Sequence, residues 1–298
     1  MATLFYPAKP RFMLFSTLLY ILLFSITCKK GNTAGQADFE TNPVQYPVAA
    51  GSVDEASGIA DSKTNPGYLW VQQDSDNPTD LTLLGHKGIV KKKIYLEGTR
   101  NRDWEDMAVS NGPLAGKSYI YIADVGDNGL TYGQYFIYRF EEPAMSVDTV
   151  KAWDKLTFTY PDGPHDAEAI LVDPDTKDIF IITKRETQSN IYRFAYPQNT
   201  SAVNTVEFMG KLAYNSVVSA ALPPDGKSVV IKTYLGIFQY ERTKGETIDK
   251  ALQKSYKTLP YLMEQQGEAI CFKNDNSGYF TLSERRVSDV TLNFYKRK

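Results

Sequence analysis

Along most of the chain, apolar and polar residues exchange places every second position in short runs, and turn residues separate the runs. That is the period of half-buried strands rather than of helices. Five runs open alike: Glu55-Ala-Ser57-Gly-Ile59, Asp103-Trp-Glu105-Asp-Met107, Asp166-Ala-Glu168-Ala-Ile170, Ser216-Val-Val218-Ser-Ala220 and Gln266-Gly-Glu268-Ala-Ile270. Their middle residues stand 48, 63, 50 and 50 positions apart, the step of a propeller blade made of four strands. The third repeat is the clearest, with strands expected at Asp166–Val172, Asp178–Lys184, Asn190–Tyr196 and Val206–Leu212. The fifth yields only three, Gly267–Lys273, Gly278–Glu284 and Val290–Tyr295. An alternating stretch ahead of the first repeat, Pro43–Ala49, supplies the missing outer strand and leaves no long edge unpaired.

The expectation is therefore an all-β, five-bladed β-propeller over residues 43–298, closed by an N-terminal strand. Six blades, the alternative, would need about four more strands than the pattern offers. The 63-residue step is assigned to a long loop at Glu141–Asp154, and a short helix is expected at Glu246–Gln253. The 20 Tyr and 15 Phe suit strands.

The N-terminus reads as a targeting segment. Lys9 and Arg11 precede an apolar run from Phe12 to Ile26, the length of a signal-peptide core and short for a membrane span. Cys28 follows directly. This implies a signal peptide over 1–27, an acylated Cys28, and a Gly-, Thr- and Asn-rich tether over 28–42. Ser25 and Thr27 fit the usual lipobox loosely, so an ordinary cleaved signal is the competing reading. The expected location is the cell envelope, as an exported, lipid-anchored membrane lipoprotein. Without the leader, Cys271 is the other cysteine, expected as a buried, inert thiol.

The 33 Lys and Arg nearly balance the 35 Asp and Glu. The basic runs Lys91-Lys92-Lys93 and Arg285-Arg286 are short, so no nucleic-acid partner is implied. A monomer contacting the membrane through its anchor, with an unidentified small molecule or protein as partner, is the expectation.

Candidate chemistry comes from the repeats themselves. Residues two apart in a strand share a side, so the first and third residues of each run face the axis. One layer would hold Glu55, Asp103, Asp166, Ser216 and Gln266; the next Ser57, Glu105, Glu168, Val218 and Glu268. Second-strand exits on the same face add Asp74, Asp124, Lys184 and Lys232. Crowded carboxylates need raised pKa values or cations. Hard oxygen donors without Cys or His clusters suit Ca²⁺ or Mg²⁺. Turn acids that cap backbone N–H groups, and acids paired with Lys184 and Lys232, fit the same residues. The runs Asp74–Asp80 and Asp124–Gly129 have the composition of calcium loops but not the twelve-residue spacing. His165 is a candidate base whose strand alternation points it away from the channel, and His86 falls in an exposed hairpin turn. Trp104, between two inward acids, is assigned to packing.

Glu55-Ala-Ser-Gly-Ile59 followed by Leu69-Trp70-Val71 and Asp74, then Asp103-Trp-Glu105-Asp-Met107, resembles the SdiA-regulated-type propellers and the esterase-like domain of some phytases. Tyr160-Pro-Asp-Gly-Pro-His165-Asp-Ala-Glu168-Ala resembles a sequence of secreted bacterial propellers. The resemblance spans about residues 52–285. It implies an acidic channel holding a divalent cation such as calcium, with Glu55, Glu105, Glu168 and Glu268 at the matching positions. Val218 departs from the pattern.

Three functions follow: an anchored module whose acidic channel binds a divalent cation and a ligand; a metal-dependent hydrolase of esterase, lactonase or phosphoesterase type; and a scaffold for protein contacts. The absence of a nucleophile-elbow motif counts against the second. For the anchor, replacing Cys28 by Ala is expected to move the protein from the membrane fraction to the soluble fraction. Retention with an unmodified N-terminus would refute it.

Overall fold

The computed structural model describes residues 38–286 and 289–298; the leader, Cys28 and most of the expected tether lie outside them. Five sheets are present, antiparallel except for a two-residue parallel strand at the edge of two of them. Their inner strands are Ala56–Asp61, Trp104–Asn111, Ala167–Val172, Val217–Ala221 and Ala269–Phe272. Each packs against the next, and the last against the first, so the ring closes around an axis. The protein is a five-bladed β-propeller.

Blade five is completed as the strand deficit requires. Val44–Pro47 pairs antiparallel with Thr291–Lys296, Val44 opposite Phe294 and Pro47 opposite Thr291. The long loop inside repeat two, between the third and fourth strands of blade two, has a structural use. It lays Thr149–Val150 in parallel against the outer strand of blade one, Val90–Leu96, and Lys92 ties it down through the Met145 and Val147 carbonyls at 3.1 and 2.8 Å. Asn204–Thr205 covers the outer edge of blade two in the same way. Covered outer strands have no free ladder to offer another chain.

Apolar side chains on the two faces of each blade fill the gaps between blades, giving five separate cores, one per gap. Helix Ile248–Leu252 buries Ile248, Ala251 and Leu252 in the core between blades three and four. Cys271 is buried, and burial pushes its thiol well above the ordinary value. Trp104 packs fully buried and donates its indole N–H to the Arg100 carbonyl at 3.1 Å.

Two departures from the sequence pattern matter. The tether, expected to run to residue 42, gives way to packed structure earlier. Phe39 is wholly buried between blades four and five, 4.9 Å from the Tyr279 ring, with the Arg297 guanidinium 4.6 Å over its face. In addition, the first four inner strands each carry a register shift, at Ala56/Gly58, Trp104/Asp106, Ala167/Ala169 and Val217/Ser219. A bulge interrupts strict alternation, and the site below turns on that.

Ring closure and the Phe39 plug make separable predictions. A chain beginning at Gln36 should melt as the intact protein does. One beginning at Pro43 should lose about 3–5 kcal/mol, the range for emptying a buried Phe site. One beginning at Gly51, without the closing strand, should not fold. Urea unfolding of the three measures this, and equal stability of all three would refute the closure.

Candidate metal centre

The middle residue of each repeat stands at the mouth of the axis, beside a bulge in the first four blades and without one in the fifth. Glu105, Glu168 and Glu268 converge there, each buried. Asp103 and Asp166 stand at the starts of their strands, buried beside them, and Asp74 reaches in from the second strand of blade one. Two trios have carboxylate oxygens within 4.8 Å of one another: Asp74, Asp103 and Glu105; and Glu105, Asp166 and Glu168. Glu105 belongs to both. Oxygens that share one Ca²⁺ at about 2.4 Å lie within about 5 Å of each other, so the spacing fits a cation. All donors are hard oxygens, which suits Ca²⁺ or Mg²⁺ over a thiophilic metal.

Gly126 shows how tightly the acids are held. A methyl at that position would lie 2.3 Å from Glu105 Oε1 and 2.4 Å from Asp103 Oδ2. The Asp124–Gly129 loop thus walls the site with bare backbone.

The cations are fewer. Lys184 Nζ pairs with Glu168 and also donates to the Tyr234 hydroxyl at 3.1 Å. The Tyr234 hydroxyl in turn donates to Glu268. Arg185 pairs with Asp166 and reaches Asn128. Arg286 pairs with Glu284 at 2.7 Å, and Glu284 shares a hydrogen bond with Glu268. Among the described residues, seven carboxyl groups (the six above and Glu284) therefore face three cations, Lys184, Arg185 and Arg286.

The imbalance registers in the acids. Burial, then the Asp74 and Asp166 charges, push Asp103 up to about 6. Burial, then Glu168, raise Glu105 well above the usual carboxylate range. Burial also lifts Glu168 despite Lys184, and Glu284 with Glu268 beside it. Burial works to lower Lys184, but the Glu168 carboxylate prevails and raises it.

Not every expected residue joins. Glu55 is exposed at the rim, bonded to Asn77 Nδ2 at 2.5 Å, and stands outside both trios; Glu268, though buried at the mouth, also belongs to neither trio. Asp124 turns away to accept the Asp103 backbone N–H at 2.9 Å, with Arg102 at 3.8 Å. Ser57 spends its hydroxyl on the Glu105 carbonyl at 2.7 Å. Lys232 is fully buried, bonded to the Gly267 carbonyl and, at 3.1 Å, to the Tyr261 hydroxyl. Burial lowers it to about 8, with Glu264 and Glu268 opposing. It braces blades four and five rather than facing the mouth.

The Asp124–Gly129 run is a turn. Asp127 accepts from the Thr131 and Tyr132 N–H groups and the Tyr135 hydroxyl, each at 2.8 Å. His165 is held on both ring nitrogens, Nδ1 by Glu186 at 2.6 Å and Nε2 by Tyr192 and Asp162 at 2.8 and 3.1 Å. That network leaves it no free nitrogen as a base. His86 is not simply exposed; its Nε2 bonds Asp61 at 2.6 Å.

Sequence reasoning missed Asp106. Strict alternation turns it toward the neighbouring blade; the bulge turns it into the axis, fully buried. There it accepts from its own chain at Met107 N (2.9 Å), from blade three at Ile170 N (3.0 Å), and from blade four at Ser219 Oγ (3.1 Å) and Ala220 N (3.3 Å). Burial pushes its carboxyl up to about 8 against those four donors. A signal existed: the residue after each middle position reads Gly58, Asp106, Ala169, Ser219, Ala269. Four small residues and one carboxylate around a ring mark a side chain that crosses it.

No protein-family model matches the chain, and no curated protein does. Among solved structures, hydrazine synthase of Kuenenia stuttgartiensis matches over 80% of this chain and 82% of its own, at 10% identity and a TM-score of 0.42. A likeness that loose carries no argument; the propeller assignment rests on the five sheets themselves.

The raised acids fix a pH dependence. Asp103, Glu105, Asp106, Glu168 and Glu284 hold protons more tightly folded than unfolded, so their contribution is full below about pH 4 and is lost as pH rises to about 8. With chelator present, the melting temperature should therefore fall from pH 5 to pH 8. The opposite group, including Asp162 and Glu186, has depressed values and loses its contribution on the acid side. A flat profile from pH 5 to 8 would refute the frustrated mouth.

Proposed function

We propose that this chain is an exported, lipid-anchored propeller whose acidic mouth binds a divalent cation, Ca²⁺ preferred, and through it a ligand at the cell envelope. The observation that carries the reading is the pair of carboxylate trios sharing Glu105. Seven acids against three cations leave a site short of positive charge, and a divalent ion supplies it without moving the backbone. Kinship with the SdiA-regulated-type and esterase-like phytase-type propellers is part of the proposal, supported by the motifs around Ser57, Trp70 and Glu105.

The ion would sit against Asp103, Glu105 and a partner acid, with coordination left open toward the mouth. Lys184 and Arg185 on blade three and Arg286 on blade five, each paired with an acid, rim the mouth opposite the ion, so a ligand reaching the ion's open positions would be an anion. A hydrolase at the same mouth is the second reading. One observation favours it: Asp103, at about 6, is poised to take a proton at neutral pH. The full engagement of His165 removes the other candidate base.

Melting of the wild type at pH 8 should rise with calcium, following the concentration dependence of a ligand that binds only the folded state. It should show little response at pH 5, where the carboxyls are protonated. Glu105→Gln with Glu168→Gln should abolish the calcium response and raise the calcium-free melting temperature, because two repelling charges are gone. A wild type indifferent to Ca²⁺ and Mg²⁺ at pH 8 would leave the acids as a channel lining.

A further inference from the structure

The other end of the axis has opposite chemistry. Beyond Asp106 the channel widens into a funnel of about 680 Å³, within the size range of small-molecule sites. Its narrow part is ringed by one residue from each blade: Ile59, Met107, Ile170, Ala220 and Ile270. Ala60, Ala108 and Leu171 continue the apolar wall.

Polar groups in the wall are already committed. Ser110 donates to the Val172 carbonyl at 3.2 Å, and Ser62 to Glu142 at 2.6 Å. They offer little to a sugar or a nucleobase. At the lip, which blades one and five supply, the charges cancel in pairs. Asp61 is held by His86 at 2.6 Å and by the Asn274 N–H at 2.6 Å. Asp275 is held by Lys273 at 2.6 Å. Lys63 lines the funnel with no carboxylate in ion-pair contact among the described residues. A cavity with an apolar throat, and at its lip a cation whose nearby carboxylate, Glu142, is held by Ser62, Thr64 and Trp70 rather than by the lysine, suits an apolar body with one anionic head.

We infer that the funnel is a binding site for a free fatty acid, its tail along the axis toward Met107 and Ile170 and its carboxylate on Lys63. The chain's approach suits such a ligand. Asp38 joins the domain on this face: its carbonyl accepts Lys298 N–H at 2.9 Å, Arg297 bonds Asn276, and Asn276 bonds Asp225, next to the funnel residues Pro223 and Pro224. Ten residues separate Asp38 from Cys28, about 35 Å at full stretch. On the anchored reading, the funnel therefore opens on the side from which the tether comes. The inference itself needs neither the anchor nor the cation.

The test is calorimetric titration of dodecanoate, below its micelle concentration, into the chain from Gln36 onward, which carries all five blades and their cores. Saturable one-to-one binding is expected. Lys63→Glu, a change at an exposed side chain, should weaken dodecanoate about tenfold, the size of one charge-assisted hydrogen bond, and leave methyl dodecanoate unchanged. Ala108→Phe should abolish both. Because Ala108 also packs against the core between blades two and three, its melting temperature is expected to fall modestly, and far-UV circular dichroism checks that the blades remain folded. The Glu105→Gln, Glu168→Gln protein should bind dodecanoate as the wild type does. Absence of saturable binding overturns the site, as does a Lys63→Glu protein that binds dodecanoate normally. Sedimentation with phosphatidylglycerol vesicles in place of dodecanoate binding would also overturn it, since the funnel would then be a lipid-surface contact.

Discussion

The Asp106 carboxyl is the constraint on which the rest of the axis depends. Inner strands that circle an axis leave backbone N–H groups facing it, and here one side chain satisfies such groups from three blades at once. Its oxygens accept backbone N–H groups from blades three and four and the Ser219 hydroxyl. Blade one contributes by yielding space: a methyl on Gly58 would lie 2.8 Å from Met107 N. Each N–H left without a partner here would cost about 1–3 kcal/mol, so the strands are held at the spacing Asp106 sets. That spacing brings Glu105 and Glu168 into contact range on one side and closes the funnel on the other.

Stability and site pull against each other. The five apolar cores hold the blades together independently of the axis, and each gap has its own set of aliphatic and aromatic residues. The mouth spends part of that stability. Buried carboxyls are tolerated either as neutral acids or beside a cation, and the described residues provide cations on blades three and five but none paired with an acid at the Glu105 end of the cluster. The deficit is therefore local to blades one and two, where Asp74, Asp103 and Glu105 meet. This is where a divalent ion would relieve the most repulsion. The same residues are walled by Gly126, whose missing side chain leaves the carboxylates room.

Much of this was legible in the sequence, and the failures have a common cause. Blade number, ring closure by Val44–Pro47, and the convergence of Glu105, Glu168 and Glu268 all follow from period-two alternation and repeat spacing, which report the average path of each strand. Alternation assumes an unbroken pleat. The bulges at Trp104/Asp106 and its counterparts break it at the site, which hid Asp106. Glu55 failed differently. It holds the same place just ahead of its strand as Asp103 and Asp166 do, but the nearby Asn77 captures it outside the cluster. Asp124 and Asp127 were ambiguous because turn-capping and cation ligation use the same carboxylates, and only the positions of the Asp103, Thr131 and Tyr132 N–H groups decide between them. Phe39 escaped because a single aromatic in a polar stretch has no period to reveal it.

The two ends of the axis differ because the strand sequences run from charged to apolar in a fixed direction. All five inner strands start at the acidic face and finish at the funnel. The gradient Glu105–Asp106–Met107, repeated as Glu168–Ala169–Ile170 and Glu268–Ala269–Ile270, is thus copied three times around one axis. A gradient repeated in register becomes a property of the channel rather than of any strand. Val218 and Ser57 break the acidic end on blades four and one, while Ala220 and Ile59 keep the apolar end complete. The apolar end is consequently a closed ring and the acidic end an open arc. An arc leaves one side of a bound ion uncovered, which is the geometry a ligand needs to reach it, whereas a ring grips along its whole circumference and is indifferent to orientation about the axis. Orientation at the funnel must then come from the lip, where the charges are confined to blades one and five.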